Sequence, residues 1–259
     1  MQISPKVFLI GETKVNEDGL QAMLKHIGVS TWKSIPRPSD IELLMEVYGR
    51  VCYRSFDTHH NPNITKIRKT NKEYLANIIE KGDGSVLEHG QANFFFGDVS
   101  RVFTHELVRH RVGTAISQES LRFVRLENIN WYAPLCIQES SEAMVIFANT
   151  MDTLSRLQRE LSDILIDDTM SFNEKKKITS AIRRWAPMGL ATSIGWSCNM
   201  RTLRHVIEER TAPWAEEEIR LVFGKVAAIA IDRWPNIFGD YDTEMVNGFR
   251  VYTTKNKKV

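Results

Sequence analysis

Cysteine is scarce. The three present, Cys52, Cys136 and Cys198, lie far apart with no C-x-x-C pair, which excludes a disulfide framework and a zinc finger and predicts ordinary reduced thiols. Long apolar runs are missing too. No stretch approaches the roughly 18 to 20 residues of a membrane span, and Met1 to Leu9 lacks a basic segment followed by a cleavable apolar one. A cytoplasmic protein with no membrane partner is expected. Charge of one sign is also lacking: 34 Lys+Arg against 32 Asp+Glu leave +2, too little for the positive field of a dedicated nucleic-acid binder. Signature glycines are absent as well. The chain has no G-x-x-x-x-G-K-[S/T], no G-x-G-x-x-G behind a strand and no G-x-S-x-G, so the usual nucleotide cradles and the serine elbow are excluded, and nothing marks a cysteine as an activated nucleophile.

What is present suits one mixed domain. With 259 residues, 42% of them hydrophobic, and no Pro/Gly/Ser-rich linker, a single α+β domain follows, a mixed sheet with long helices. Lys6 to Ile10 (KVFLI) reads as an edge or opening strand that enters a turn at Gly11, and Ala92 to Phe96 as a strand whose adjoining GDVS forms a turn. Helical spacing predicts helices over 40 to 53, with Asp40 as cap, over 71 to 80, 102 to 111 and 139 to 166, and over 173 to 185 behind a capping Ser171. Between the first two, Ser55 to Thr70 reads as a surface loop. A further helix opens at Thr211-Ala-Pro-Trp, with Pro213 near its first turn and Ile219, Val222, Phe223, Val226 and Ile229 on one face, and ends before Pro235. The tail, Thr253 to Val259, is polar and basic and reads as disordered.

Two clusters carry candidate chemistry. Thr104 to Leu126 packs Arg109, His110, Arg111, Arg122 and Arg125 among apolar residues. If Ser120 to Leu126 is a strand, its period of two sends Ser120 and Arg122 out of one face, a hydroxyl beside a guanidinium suited to an anionic polar small molecule. Taken singly, each arginine is as well explained by surface ion pairs with Glu106, Glu119 and Glu127. His105-Glu106-Leu107-Val108-Arg109-His110 differs from the zinc-protease motif because its histidines are five apart, not four. Five steps of about 100° leave the rings roughly 140° apart, so no metal site is expected there. His59-His60, in a polar loop, reads as solvated. The second cluster, Asn199, Arg201, Arg204, His205 and Arg210, has helical spacing. Asn199, Leu203, Val206 and Arg210 share one face, beside a stripe of Arg201, His205 and Glu208, and Asn199 and Arg210 stand about 16 Å apart. That suits an elongated cofactor, or equally a solvated helix on which Glu208 and Glu209 pair the arginines.

Read with Ser85-Val-Leu-Glu-His89, these segments resemble the flavin-dependent thymidylate synthases, the ThyX family. SVLEH at 85 to 89, VSR at 99 to 101, HELVRHR at 105 to 111, SLRF at 120 to 123 and Ala181 to Pro187 fall in the family's order. Asn199, Arg201, Arg210 and Glu218-Ile219-Arg220 complete it. The likeness spans roughly residues 40 to 240. It implies reductive methylation of dUMP to dTMP, with methylenetetrahydrofolate as carbon donor, NADPH-reduced FAD as hydride source, no cysteine nucleophile, and a homotetramer with sites between subunits. By position, His89, Arg109, His110, Arg111, Asn199, Arg201, His205 and Trp214 would face FAD. Glu106, Gln118, Ser120, Arg122, Arg183 and Arg210 would hold dUMP, with Arg210 and Ser120 as the catalytic pair. The implied organisation is an extension, 1–35, packed on a domain at 36–245, followed by a tail at 246–259.

The sequence departs from the family in four places. The spacing from Arg-His-Arg to Ser120 is one residue longer, with Gly113 as the natural place for the insertion. Phe123 replaces a tyrosine, Glu106 stands where glutamine is common, and Trp214 occupies the position of a flavin-facing histidine. These motivate an alternative, transfer of a hydroxymethyl group to a pyrimidine nucleotide. A third reading, of another class, is a non-catalytic nucleotide- or RNA-binding protein.

Overall fold

The apolar run at Ala92 to Phe96 forms the centre of a longer strand because its alternate side chains, Phe94 and Phe96, are wholly buried against Trp196. Each such aromatic contributes roughly 2–3 kcal/mol by leaving water. The structure, a computed structural model, describes residues 1–57, 61–124, 128–257 and 259. Along the chain come β1 (Lys6–Glu12), α1 (Glu17–His26), α2 (Asp40–Tyr53), α3 (Asn71–Lys81), a 3-10 turn at Gly84–His89 and β2 (Gln91–Ser100). Then follow α4 (Arg101–Leu107), β3 (Thr114–Gln118), α5 (Leu135–Gln138), α6 (Ser141–Leu165), α7 (Phe172–Ile182) and a second 3-10 turn at Arg183–Trp185. The last part is β4 (Ala191–Asn199), α8 (Met200–Thr211), α9 (Glu217–Arg233), α10 (Pro235–Phe238), β5 (Asp242–Val246) and β6 (Phe249–Thr253).

Four strands make one antiparallel sheet in the order β1-β2-β4-β3, and β5 pairs with β6 in a hairpin. Helices α8 and α9 supply Leu203, Val206, Phe223 and Val226 to the main core, while α2 and α3 add Ile41, Met45, Leu75 and Ile78. Phe223 meets Phe96, Phe103 and Trp196 ring to ring. A second core lies under α6, where Met151 packs with Leu121, Ile129, Trp131 and Leu190. Residues 1–35 give the sheet its edge strand β1, and α1 packs Leu24 with Val29 and Phe56. Among the described residues no helix is long and apolar enough to cross a membrane.

Several expectations are corrected. GDVS is not a turn: Asp98, at φ 54, absorbs an extra residue as a bulge, and β2 runs on to Ser100, which caps α4. The cap of α2 is Ser39 rather than Asp40, in a capping box with Glu42. Helix α4 stops at Leu107, short of Arg111, and the chain then reverses through Gly113 at φ +67. Thr211 closes α8 instead of opening the next helix, because Ala212, forced extended by the following Pro213, breaks it. Helix α9 begins at Glu217, where the Glu216 carboxylate accepts from the Glu218 and Ile219 amides. The tail is ordered: Thr254 and Asn256 donate to Asp240, and Val259 is buried in the core. Composition hides this, since the acceptor lies elsewhere in the chain. His59, His60, Arg125 and Glu127 lie outside the described residues.

Candidate functional site

The site forms where three pieces of backbone meet at one end of the sheet. Helix α8 leaves β4 at Asn199, whose amide donates to the Gly113 carbonyl at 3.0 Å, while the Met200 amide donates to Gly90 at 3.0 Å. Asn199 caps the helix, accepting from Thr202 N at 2.8 Å, and the Thr202 hydroxyl donates to the Val112 carbonyl at 2.8 Å. The Arg-His-Arg turn is thereby stitched to the start of α8. Gly113 permits this because a Cβ there would stand 2.3 Å from Asn199 Nδ2. Gly84 performs the same service for Arg201, whose Nε would lie 2.7 Å from a Cβ at that position.

An open cleft of roughly 450 Å³ results, lined by Glu88, Arg109, His110, Arg111, Val112, Asn199, Arg201, Thr202 and His205. Arg109, His110, Arg111, Asn199, Arg201 and His205, drawn from two distant segments, thus share one cavity. Arg201 is joined to Glu88 at 2.7 Å. Beneath the cleft, Arg210 Nε donates to His110 Nε2 at 2.7 Å, and its two terminal nitrogens reach the Glu106 carboxylate and, at 3.3 Å, the Glu106 carbonyl. Burial first, and then the Arg210 and His205 charges, push the His110 ring down to about 4. His110 is therefore neutral near pH 7.

The other expected residues stand apart from this cleft. His89 stacks on Tyr48, ring centroids 4.1 Å apart. Trp214 is 82% exposed in the link between α8 and α9. Gln118, on β3, donates to Thr104 Oγ1 at 3.0 Å. The predicted strand over Ser120 to Leu126 is overturned where it is described: β3 ends at Gln118, and Ser120 opens a turn whose carbonyl accepts from the Phe123 and Val124 amides. Arg122 is exposed on that turn, and Phe123 stacks on Phe172. Arg183 is exposed on the turn after α7, near enough to Arg101 for its charge to add to the burial that lowers the Arg101 guanidinium. Asn199 does not share a working face with Leu203 and Val206, which are fully buried; Asn199, Thr202 and His205 face the cleft instead. Sequence reasoning missed Glu88 and Thr202 there. The spacing of Thr202 midway between Asn199 and His205 was the one available signal.

Cys198, beside this end of the sheet, is wholly buried, and burial pushes its thiol well up. It is no nucleophile. Cys52 and Cys136 are exposed and free. Among the described residues no group of three or more His, Cys, Asp or Glu side chains is placed to hold a metal ion.

A family model described as Thymidylate synthase complementing protein matches residues 35–236. The chain belongs to this family. Members similar to it include the flavin-dependent thymidylate synthase of Corynebacterium diphtheriae, 31% identical over 86% of this chain and 88% of that one. That of Corynebacterium glutamicum is 34% identical over 82% and 85%. Among solved structures, Thymidylate Synthase X from Helicobacter pylori, crystallised with FAD and dUMP, shares the fold at a TM-score of 0.57 and 16% identity, covering 91% of this chain and 99% of that one. The guanidiniums of Arg109, Arg111 and Arg201 around one cleft fit the family's flavin dinucleotide by chemistry, since they pair with a pyrophosphate.

Proposed function

We propose that this chain is a flavin-dependent thymidylate synthase that methylates dUMP at C5, taking the carbon from methylenetetrahydrofolate and reducing equivalents from NADPH through FAD. The supporting observation is that Arg109, His110, Arg111, Asn199, Arg201 and His205, six of the eight positions that the family resemblance assigns to the flavin, line one cleft backed by Arg210. The names of the relatives point the same way. Arg109, Arg111 and Arg201 would hold the flavin's phosphates, with Gly113 and Gly84 letting backbone and guanidinium approach. When bound, the flavin supplies the hydride that completes the methyl group.

Arg210 orients the nucleotide and stabilises the negative charge that develops on the pyrimidine carbonyls as C5 becomes nucleophilic. Ser120, Arg122 and Arg183 hold the nucleotide's polar and anionic groups, with Glu106 and Gln118 nearby. These lie outside the cleft within one chain, so the complete site calls for a second copy. A homotetramer in the cytoplasm is part of the proposal. Exposed Val145, Ile146, Phe172, Trp185 and Met188 offer the apolar surface that such an assembly covers.

The test is to incubate the purified protein with dUMP, methylenetetrahydrofolate and NADPH and weigh the nucleotide product. A product in which a methyl group has replaced one hydrogen, a net gain of CH2, with NADPH consumed, is expected. A product carrying an additional oxygen would move the assignment to hydroxymethylation, and a protein that retains no flavin and consumes no NADPH would overturn it.

A further inference from the structure

Arg210 is a guanidinium that stays protonated, so its Nε can only donate. The ring atom facing it, His110 Nε2 at 2.7 Å, must then be the acceptor. A neutral imidazole has one donor and one acceptor nitrogen, and a ring that accepts at Nε2 carries its hydrogen on Nδ1. Protonating Nε2 would set two N–H groups against each other. What keeps Arg210 in this posture is Glu106, which holds one terminal nitrogen with its carboxylate and the other with its carbonyl.

We propose that Glu106 is a positioning residue which, by clamping Arg210, locks His110 in the Nδ1–H form, so that His110 brings a neutral hydrogen-bond donor to the cleft and not a cation. The clamp joins α4 to α8, elements with no covalent link nearby. Charged and titratable groups face it from several elements. His205 of α8 lies 6.0 Å from the His110 ring, edge to face. Arg109 and Arg111 flank it in the chain and line the same cleft. Glu216, ahead of α9, has a carboxyl raised first by burial and then by the charges of Glu217 and Glu106. Glu88 and Arg201 line the cleft as well, joined to each other at 2.7 Å; apart from the glutamates these neighbours are cationic or can become so, and a further positive charge on His110 would be repelled. The assignment moves Glu106 from nucleotide contact to support of the residue that makes it. It rests on the synthase reading only for what His110 meets in the cleft, because the ring form is measurable without substrate.

The experiment is magic-angle-spinning 15N spectroscopy of the purified protein labelled at histidine, with His110→Gln used to assign the signals. The expected wild-type result is a protonated Nδ1 and a bare Nε2 at both pH 5.5 and pH 8. Glu106→Ala should give a mixture of Nδ1–H and Nε2–H ring forms, while Glu106→Gln, which still accepts from Arg210, should restore much of the wild-type pattern. In turnover, Glu106→Ala should lower kcat by about tenfold and leave KM for dUMP within about twofold, the signature of an interaction felt in the transition state and not in binding. A wild-type ring protonated at Nε2, or cationic at pH 5.5, would overturn the proposal without any variant. So would a Glu106→Ala spectrum identical to wild type, or a loss confined to KM. None of the spectroscopic outcomes depends on whether dUMP is the substrate.

Discussion

Gly113 and Asn199 are held together twice: the Asn199 amide donates to the Gly113 carbonyl at 3.0 Å, and the Asn199 side chain occupies the space where a Cβ on residue 113 would lie. This contact fixes the Arg-His-Arg turn against the start of α8 and so gives the cleft its shape. Gly113→Ala should destabilise the protein by about 1–3 kcal/mol, from the left-handed backbone together with a 2.3 Å clash. It should also weaken flavin retention at least about tenfold, since three arginines lose their registration. Gly113→Asn separates the two causes. Asparagine tolerates positive φ but still carries a Cβ, so urea unfolding and flavin titration should find it nearly as impaired as alanine. A well-behaved asparagine variant would show that conformation alone selects glycine here.

Arg210 lies behind the cleft and not among the residues that line it. Its removal should therefore separate catalysis from cofactor binding. Arg210→Ala is expected to lower kcat by about 10²–10³-fold, the range for losing one charged transition-state donor, while flavin per chain stays close to wild type. Arg210→Lys should recover little, because a point charge cannot meet His110 and both Glu106 oxygens together. Absorbance of the purified variants and NADPH oxidation check both halves. Unchanged turnover would remove Arg210 from the mechanism.

The legible parts of this fold were local ones. The helices at 40–53 and 71–80 announce themselves by apolar spacing, and α7 by its periodicity behind Ser171. The Arg-His-Arg and Asn-x-Arg segments could be named as candidates because each is dense in donors over a few residues. What joins them was not legible. Arg210 and Glu106 are 104 residues apart and Arg201 and Glu88 are 113, and no periodicity links such positions. The Ser120 segment failed for the opposite reason: alternation over a few residues mimics a strand, yet the Ser120 carbonyl accepts from the Phe123 and Val124 amides in a turn. The tail shows the same limit, since a polar, basic segment orders itself once an acceptor such as Asp240 is presented to it.

Asp240 accepts both terminal nitrogens of Arg204, at 2.7 and 2.8 Å, and the Arg204 side chain has no exposed surface. Burial pushes the Asp240 carboxyl up, but the hydrogen bonds and charge of Arg204, with help from Thr254 and Asn256, more than offset this and bring it down to about 2. A lowered carboxyl contributes stability above its unfolded value and loses it as pH falls through the folded one. Roughly 2 kcal/mol should therefore disappear between about pH 4 and pH 2. Asp240→Ala leaves a buried guanidinium unpaired and should cost about 3–5 kcal/mol at pH 7. Deleting Thr254 to Val259 should cost less, because Asp240 keeps Arg204. Thermal unfolding of the two variants orders these effects, and a truncation more damaging than Asp240→Ala would contradict the ranking.

Glu218 gives the opposite sign. It is 1% exposed at the start of α9 and accepts from the Ser100 amide at 2.7 Å and from the Ser100 hydroxyl. Burial pushes its carboxyl up to about 7; the Ser100 hydrogen bonds pull it down in part, and the neighbouring Glu216 and Glu217 add to the rise. A carboxyl raised on folding binds its proton more tightly in the native state, so its favourable contribution is whole below the unfolded value near 4.5 and is lost as pH climbs through about 7. The swing amounts to roughly 3 kcal/mol. Glu218→Gln removes the titration while keeping an acceptor for the Ser100 amide, and the Ser100 hydroxyl has a spare lone pair for the new amide. Relative to wild type, the variant should gain stability steadily from pH 5 to pH 8 in urea unfolding. Because Ser100 also caps α4, which carries Glu106, the alkaline loss in the wild type should be accompanied by loosening of that helix, seen as faster amide exchange at Phe103 and Thr104. A difference between the two proteins that stays constant across this range would show that Glu218 keeps an ordinary carboxyl despite its burial.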